Sequence, residues 1–249
     1  MLLRLLRLLR LALLTALAGP AAAGPLSVPL RIVGENLPPS SMMDGETVVG
    51  RETGKVRELL ARAGVSYQIS LLPWKRAYAQ TLSEFDTCIY AAIRTPEREK
   101  LFRWIGPLNE GQWVLYGLAS RNLAFQSLAD VRGLSIGTLL GDARDDYLRQ
   151  RGFDVAPVTQ EWLNPQKLLM GRIDLWAVSV SNGTRPFAGK SWEDKVVPVL
   201  TFNRVQTYLA CNGGVPEAQL LARQRAVTAM RRDGSMARHD QVVISNFQP

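Results

Sequence analysis

Histidine is nearly missing from this chain: among 249 residues there is one, His239, close to a polar terminus and with no Cys or Asp cluster around it. A structural or catalytic zinc centre needs roughly three or four His, Cys or carboxylate ligands, so no metal is expected, and no motif points to any other cofactor. Cysteine is almost as scarce. Cys88 and Cys211 each lie inside an apolar run, which reads as two buried thiols acting as small hydrophobes, with a disulfide as the alternative that spacing alone does not decide. No apolar run approaches the roughly 20 residues of a membrane-spanning helix. Internal repeats and low-complexity segments are also lacking past the first two dozen residues.

What stands at the amino terminus is distinctive. Arg4, Arg7 and Arg10 are set among leucines, Leu11 to Ala18 is uncharged, and Ala21, Ala22 and Ala23 follow as small residues. That order of basic, apolar and small-residue regions is the pattern of a secretory signal. Residues 1–23 are therefore expected to be removed on export to the periplasm, leaving a chain of about 226 residues that begins near Gly24. Without those three arginines the basic excess falls from +8 to +5. The remaining Lys and Arg are interspersed with Asp and Glu, as in Arg94 to Arg103, rather than forming one stripe. Nucleic acid is accordingly not an expected partner.

The mature chain alternates short strand patterns with amphipathic helix patterns. Leu30 to Val33, Tyr67 to Leu72 and Thr87 to Ala91 read as strands, separated by helices over Arg51 to Ala63 and Trp74 to Leu82. A second unit follows an extended segment at Gln112 to Ala119: strands at Ser135 to Gly137, Val155 to Val158 and Asp174 to Val180 enclose helices at Ala143 to Arg151 and Pro165 to Met170. Val205 to Cys211 reads as a return strand, and a last helix runs from Pro216 to Arg232. Repeated β-α-β units predict α/β architecture with mostly parallel sheets flanked by helices. Two such units joined by two extended segments predict two lobes with a ligand-sized cleft between them.

The residues also carry a family resemblance. Glu35 to Pro39 (ENLPP), the Asp44-Gly45 turn, Val49-Gly50, Leu72 to Tyr78 (LPWKRAY), Phe85-Asp86, Thr95 to Glu99 (TPERE), Phe102 to Leu108 (FRWIGPL) and Gly171 to Asp174 (GRID) occur in the order seen in bacterial solute-binding protein family 3. These are the periplasmic receptors of amino-acid-type ABC importers. The resemblance implies a periplasmic-binding-protein-like fold with one lobe from residues 24–112 plus 212–249 and a second from 113–211. It further implies a small-molecule solute clamped between the lobes, an inner-membrane ABC permease as partner, and a monomer.

It also assigns candidate ligand contacts. Arg98 matches the arginine that grips a ligand carboxylate, a task suited to the planar guanidinium fork; its local sequence also fits a helix start, with Thr95 as cap and Pro96 at the first position. Trp74 falls where an aromatic wall faces the ligand, although a Trp at a strand-to-helix turn also serves to fill a core. Ala91 and Ile93 match positions whose backbone meets the ligand, and Glu35 lies near the first lobe's acidic position. In the second lobe Asp142, Ala143 and Arg144 open a helix whose free N–H groups suit an anion, unless Asp142 caps the helix itself. Two departures stand out. Ser40 replaces the aromatic that commonly follows the Pro-Pro pair, and Ser179 stands where a carboxylate normally receives an α-ammonium group. The solute is thus expected not to be a standard α-amino acid held by its ammonium group, unless Glu35 supplies the missing charge; a carboxylate without an ammonium, or an anion gripped by Arg98 and the helix start near Arg144, suits the site better.

Catalysis is not expected. The competing enzyme class is a periplasmic dehydratase on the same fold, with Glu35 or Asp86 as general acid. A solute-sensing module for a membrane partner is the third reading.

Overall fold

The computed structural model describes residues 29–181 and 190–241. The expected signal segment lies outside them. Among the described residues eight of ten strands form one sheet, in the order β4 (Tyr67–Leu71), β1 (Leu30–Gly34), β5 (Thr87–Ile93), β10 (Val196–Cys211), β6 (Arg103–Leu118), β9 (Leu175–Ser181), β7 (Ile136–Leu139), β8 (Val155–Val158). In the first lobe β1 (Leu30–Gly34) runs parallel to both β4 (Tyr67–Leu71) and β5 (Thr87–Ile93). In the second, β7 (Ile136–Leu139) runs parallel to β8 (Val155–Val158) and β9 (Leu175–Ser181). Each trio is flanked by one of two antiparallel strands, β6 (Arg103–Leu118) and β10 (Val196–Cys211), that pair with each other and pass from one lobe to the other. The sheet is thus two similar halves back to back. The fold class read from the sequence is the one observed.

The helices form where the apolar spacing is helical. In α1 (Arg51–Arg62) the residues Val56, Leu59 and Leu60 lie on one face and are fully buried against the first lobe's sheet. At ~25 cal/mol per Å² of apolar area such a face supplies far more than the intrinsic propensity of a 12-residue helix. The other helices are α2 (Trp74–Ser83), α3 (Ala143–Gln150), α4 (Leu163–Leu169), α5 (Glu217–Arg232) and α6 (Ser235–Asp240). Separate cores lie in the two lobes, one around Ile32, Leu60, Leu209 and Val227, another around Leu115, Ile136, Leu148 and Leu175.

Three sequence expectations are corrected. Cys88 and Cys211 are not free thiols: they stand opposite each other on β5 and β10 and form a disulfide. Thr95 to Glu99 does not open a helix; residues 96–101 form successive turns, because Phe102 and Arg103 immediately begin the path into β6. The extended segments expected at Gln112–Ala119 and Val205–Cys211 are the ends of two 16-residue strands. Pro107, Asn109, Glu110 and Pro198 interrupt the apolar pattern there, yet the backbone of each strand finds its hydrogen bonds in the other. Two elements carried no strong pattern: the hairpin of β2 (Met42–Asp44) and β3 (Thr47–Val49) around the Asp44-Gly45 turn, and α6.

Candidate functional site between the lobes

The carboxyl end of β5 delivers Arg98 to the boundary between the lobes. The side chain is buried, 5 % exposed, in the turn that follows Ile93. Its Nη2 donates to the Gly141 carbonyl at 3.1 Å and to Asp146 Oδ2 at 3.2 Å, both in the second lobe. The guanidinium lies over the ring of Tyr78, 5.0 Å from the centroid, and near Trp74 at 6.0 Å. Trp74 Nε1 donates to the same Gly141 carbonyl at 3.0 Å. Gly141 has φ +74°, a left-handed turn that presents its carbonyl to both donors and that a side chain would strain. Arg98 Nη1 is buried and has no hydrogen-bond partner.

Beside Arg98 is a cavity of about 940 Å³. Its walls come from both lobes and both long strands, and include Tyr78, Ile93, Trp113, Ala143 and Tyr147. Trp113 and Tyr147 meet edge to face at 5.2 Å. Trp113 is 1 % exposed, and its Nε1 is a second buried donor without a partner.

Next to the cavity the second lobe holds a buried charge cluster. Arg144 donates through Nε to Asp142 Oδ1 at 2.5 Å, through Nη2 to Glu161 Oε2 at 3.0 Å and through Nη1 to the Ala177 carbonyl at 3.0 Å. Trp176 Nε1 adds a bond to Glu161 Oε1 at 2.6 Å. Asp142 also caps α3 through the Arg144 backbone N–H at 2.9 Å. Burial opposes ionisation of Asp142, but the adjoining guanidinium outweighs it and holds the carboxyl below its ordinary range. Burial likewise opposes the Arg144 cation, and Asp142 and Glu161 outweigh it and raise its pKa.

Glu35, just past β1 in the first lobe, sits in the field of this cluster. Burial first, and then the negative charges of Glu161 and Asp142, push its pKa up to about 8, against a smaller opposing effect of Arg144.

Among the described residues no group of three or more His, Cys, Asp or Glu is placed to hold a metal, and no helix is long and apolar enough to cross a membrane. No protein-family model matches the chain, and neither does any curated protein. Solved structures do. A histidine kinase sensor domain with similarity to periplasmic binding proteins aligns with TM-score 0.77 at 16% identity, covering 89% of this chain and 98% of its own. A mutant of ArgBP from T. maritima gives 0.74 at 17%, covering 85% and 93%. The GluR0 ligand-binding core from Nostoc punctiforme, in complex with L-glutamate, gives 0.72 at 17%, covering 85% and 97%.

This is the periplasmic-binding-protein fold.

Within the periplasmic-binding-protein fold seven of the nine sequence candidates fall into two groups, and Ala91 and Ser179 stand apart. Arg98, Ile93 and Ala143 line the cavity, and Trp74 adjoins it through Arg98 and Gly141. Glu35, Asp142 and Arg144 belong to the charge cluster, where each donor nitrogen of the Arg144 guanidinium already has an acceptor. Ala91, at φ +56°, packs on the first lobe's core. Ser179 stands opposite Trp113 on β9, with its Oγ buried and unpartnered. Asp86, the alternative acid, precedes β5 and so lies at the other end of that strand from Ile93 and the cavity.

Sequence reasoning missed Tyr78, Trp113, Tyr147 and Glu161. Tyr78 was reachable, since it follows Trp74 by four residues on one helix and so shares its face. Trp113 and Tyr147 gave only the ordinary signal of core aromatics.

Proposed function

We propose that the chain is an exported solute-binding protein that takes a small carboxylate-bearing solute between its lobes and delivers it to an inner-membrane ABC permease. The supporting observation is Arg98: a buried guanidinium at the lobe boundary, with Nη2 spent on the second lobe and Nη1 unpartnered beside a cavity. A carboxylate is the acceptor that matches such a donor, and both lobes would close over it. The lobes would divide as residues 24–112 plus 212–249 and residues 113–211, with the export signal before them.

What the similar structures hold is consistent with this reading. ArtJ from Geobacillus stearothermophilus is an arginine-, lysine-, histidine-binding protein, and another neighbour is the substrate-binding protein of an amino acid ABC transporter. Sensing is the second reading, favoured by the kinase sensor domain. Binding rather than catalysis fits a cavity whose buried polar atoms at Arg98 and Trp113 are donors held by aromatic packing. Glu35 does not line that cavity.

A thermal-shift screen of the purified mature chain against amino acids, organic acids and amines tests the proposal. A solute at a hundred times its Kd stabilises the folded state by about 2.7 kcal/mol. Carboxylates are expected to raise the melting temperature and amines without a carboxyl are not. Failure of every carboxylate would end the proposal.

A further inference from the structure

We infer that the cavity beside Arg98 takes an aromatic carboxylate that carries no ammonium group and that offers a second, neutral acceptor to Trp113. The inference rests on the solute-binding reading and specifies its ligand. Arg98 and Trp113 both line one cavity and are buried, 5 % and 1 % exposed, and in each an N–H donor, Arg98 Nη1 and Trp113 Nε1, lacks a partner. A buried donor left without an acceptor carries the full cost of its desolvation. Both are relieved together by a ligand with a carboxylate at one end and an ether, carbonyl or hydroxyl oxygen at the other.

The body between those two ends is set by the walls. Four aromatic residues, Tyr78, Trp113, Tyr147 and Tyr208, line the cavity, with Ile93 and Val205 beside them. A planar ring stacks on or against such rings with a gain beyond area burial. The volume, about 940 Å³, has room for a ring and its substituents.

Charge placement excludes the ammonium. The lining carboxylates Glu97, Glu110 and Asp146 belong to exposed residues, so they sit at the rim. Asp146 is bound to Arg98, and Glu110 accepts from Gln206 at 3.2 Å. Among the described residues, no buried carboxylate lines the cavity. An ammonium carried in with the carboxylate would therefore be desolvated beside a guanidinium without a buried counter-charge, which is unfavourable. Ser179 supplies only a neutral hydroxyl nearby.

Calorimetry on the mature chain decides the matter with matched pairs: 3- and 4-methoxybenzoate against 3- and 4-ethylbenzoate, which have similar size but lack the ether oxygen. Benzoate, glutamate, arginine and succinate complete the panel. One methoxy acid is expected to bind about tenfold more tightly than its ethyl partner, the ratio for one satisfied buried donor. Trp113→Phe should abolish that ratio, and Arg98→Lys should weaken every aromatic acid. If Trp113→Phe does not fold, the methoxy-to-ethyl ratio on the parent protein still decides. Equal affinity within both pairs overturns the inference. Tighter binding of glutamate, arginine or succinate than of every aromatic acid also overturns it, yet leaves the solute-binding proposal standing. Silence from the whole panel overturns both.

Discussion

Replacing Glu35 with glutamine isolates the effect of one half-buried carboxyl on stability. In the folded protein its pKa is pushed up to about 8 from 4.5, by burial and then by Glu161 and Asp142. A raised acid pKa means that the native state holds a proton the unfolded chain releases. The stabilising contribution of that proton is complete below pH 4.5 and is lost as pH rises through about 8. Each pH interval of one between the two values contributes about 1.4 kcal/mol, so the full loss over the roughly 3.5 intervals from 4.5 to about 8 is about 5 kcal/mol. At about 2–4 °C per kcal/mol for a chain of this size, the parent should lose on the order of 10 °C in melting temperature between pH 5 and pH 9, relative to Glu35→Gln. The neighbouring Asp142 has the opposite sign, a lowered pKa whose contribution is lost only in acid, below this window. Glu35 and the cluster belong to different lobes, so separating the lobes is an alternative outlet for the strain and would cap the loss. Calorimetric melting of both proteins in buffers of constant ionic strength is the assay. If the parent and Glu35→Gln melt in parallel across pH 5–9, Glu35 is not held neutral by the second lobe and the reasoning fails.

Other outcomes follow from the same structure. Arg98→Lys keeps the charge but loses the fork, and should weaken carboxylate binding roughly tenfold to a hundredfold; calorimetry that finds parental affinity removes Arg98 from the site. Joining Cys88 to Cys211 closes a span of 123 residues, so Cys88→Ser with Cys211→Ser should cost about 5 kcal/mol in denaturant unfolding. A loss below about 1 kcal/mol would mean that the bond does not constrain the unfolded chain. Mass spectrometry of exported material should find the chain beginning near Gly24, and a chain beginning at Met1 would contradict the signal reading.

The fold was legible because each core helix and strand carries its own period: Val56, Leu59 and Leu60 mark α1 without reference to anything distant. The site was legible only where one residue type has one good use, as with Arg98. Arg144 shows the limit. Its surroundings in sequence, Asp142 and the start of α3, suggest a place for an anion, but Glu161 and the Ala177 carbonyl, 17 and 33 residues away, take up its guanidinium. The same holds for Trp113, whose unpartnered nitrogen depends on what β9, β10 and α3 bring around it. The disulfide belongs here too, since only the register of β5 against β10 sets the two cysteines opposite each other.

The paired strands β6 and β10 have a mechanical consequence. Because they bond to each other along most of their length, the lobes are joined by a two-stranded ribbon instead of two independent tethers, and neither strand can swivel alone. The ladder has register shifts between Pro198 and Leu200, between Thr201 and Asn203, and between Thr207 and Leu209. A ribbon yields first where its cross-links are already missing. Any relative rotation of the lobes would then concentrate in the stretch from Pro198 to Leu209, while the segment beyond it, fixed to β5 at Cys211, moves as part of the first lobe. The cavity draws Asn203 to Gln206 from this same stretch, so a solute lodged there touches the flexing element itself and ties its own affinity to the angle between the lobes.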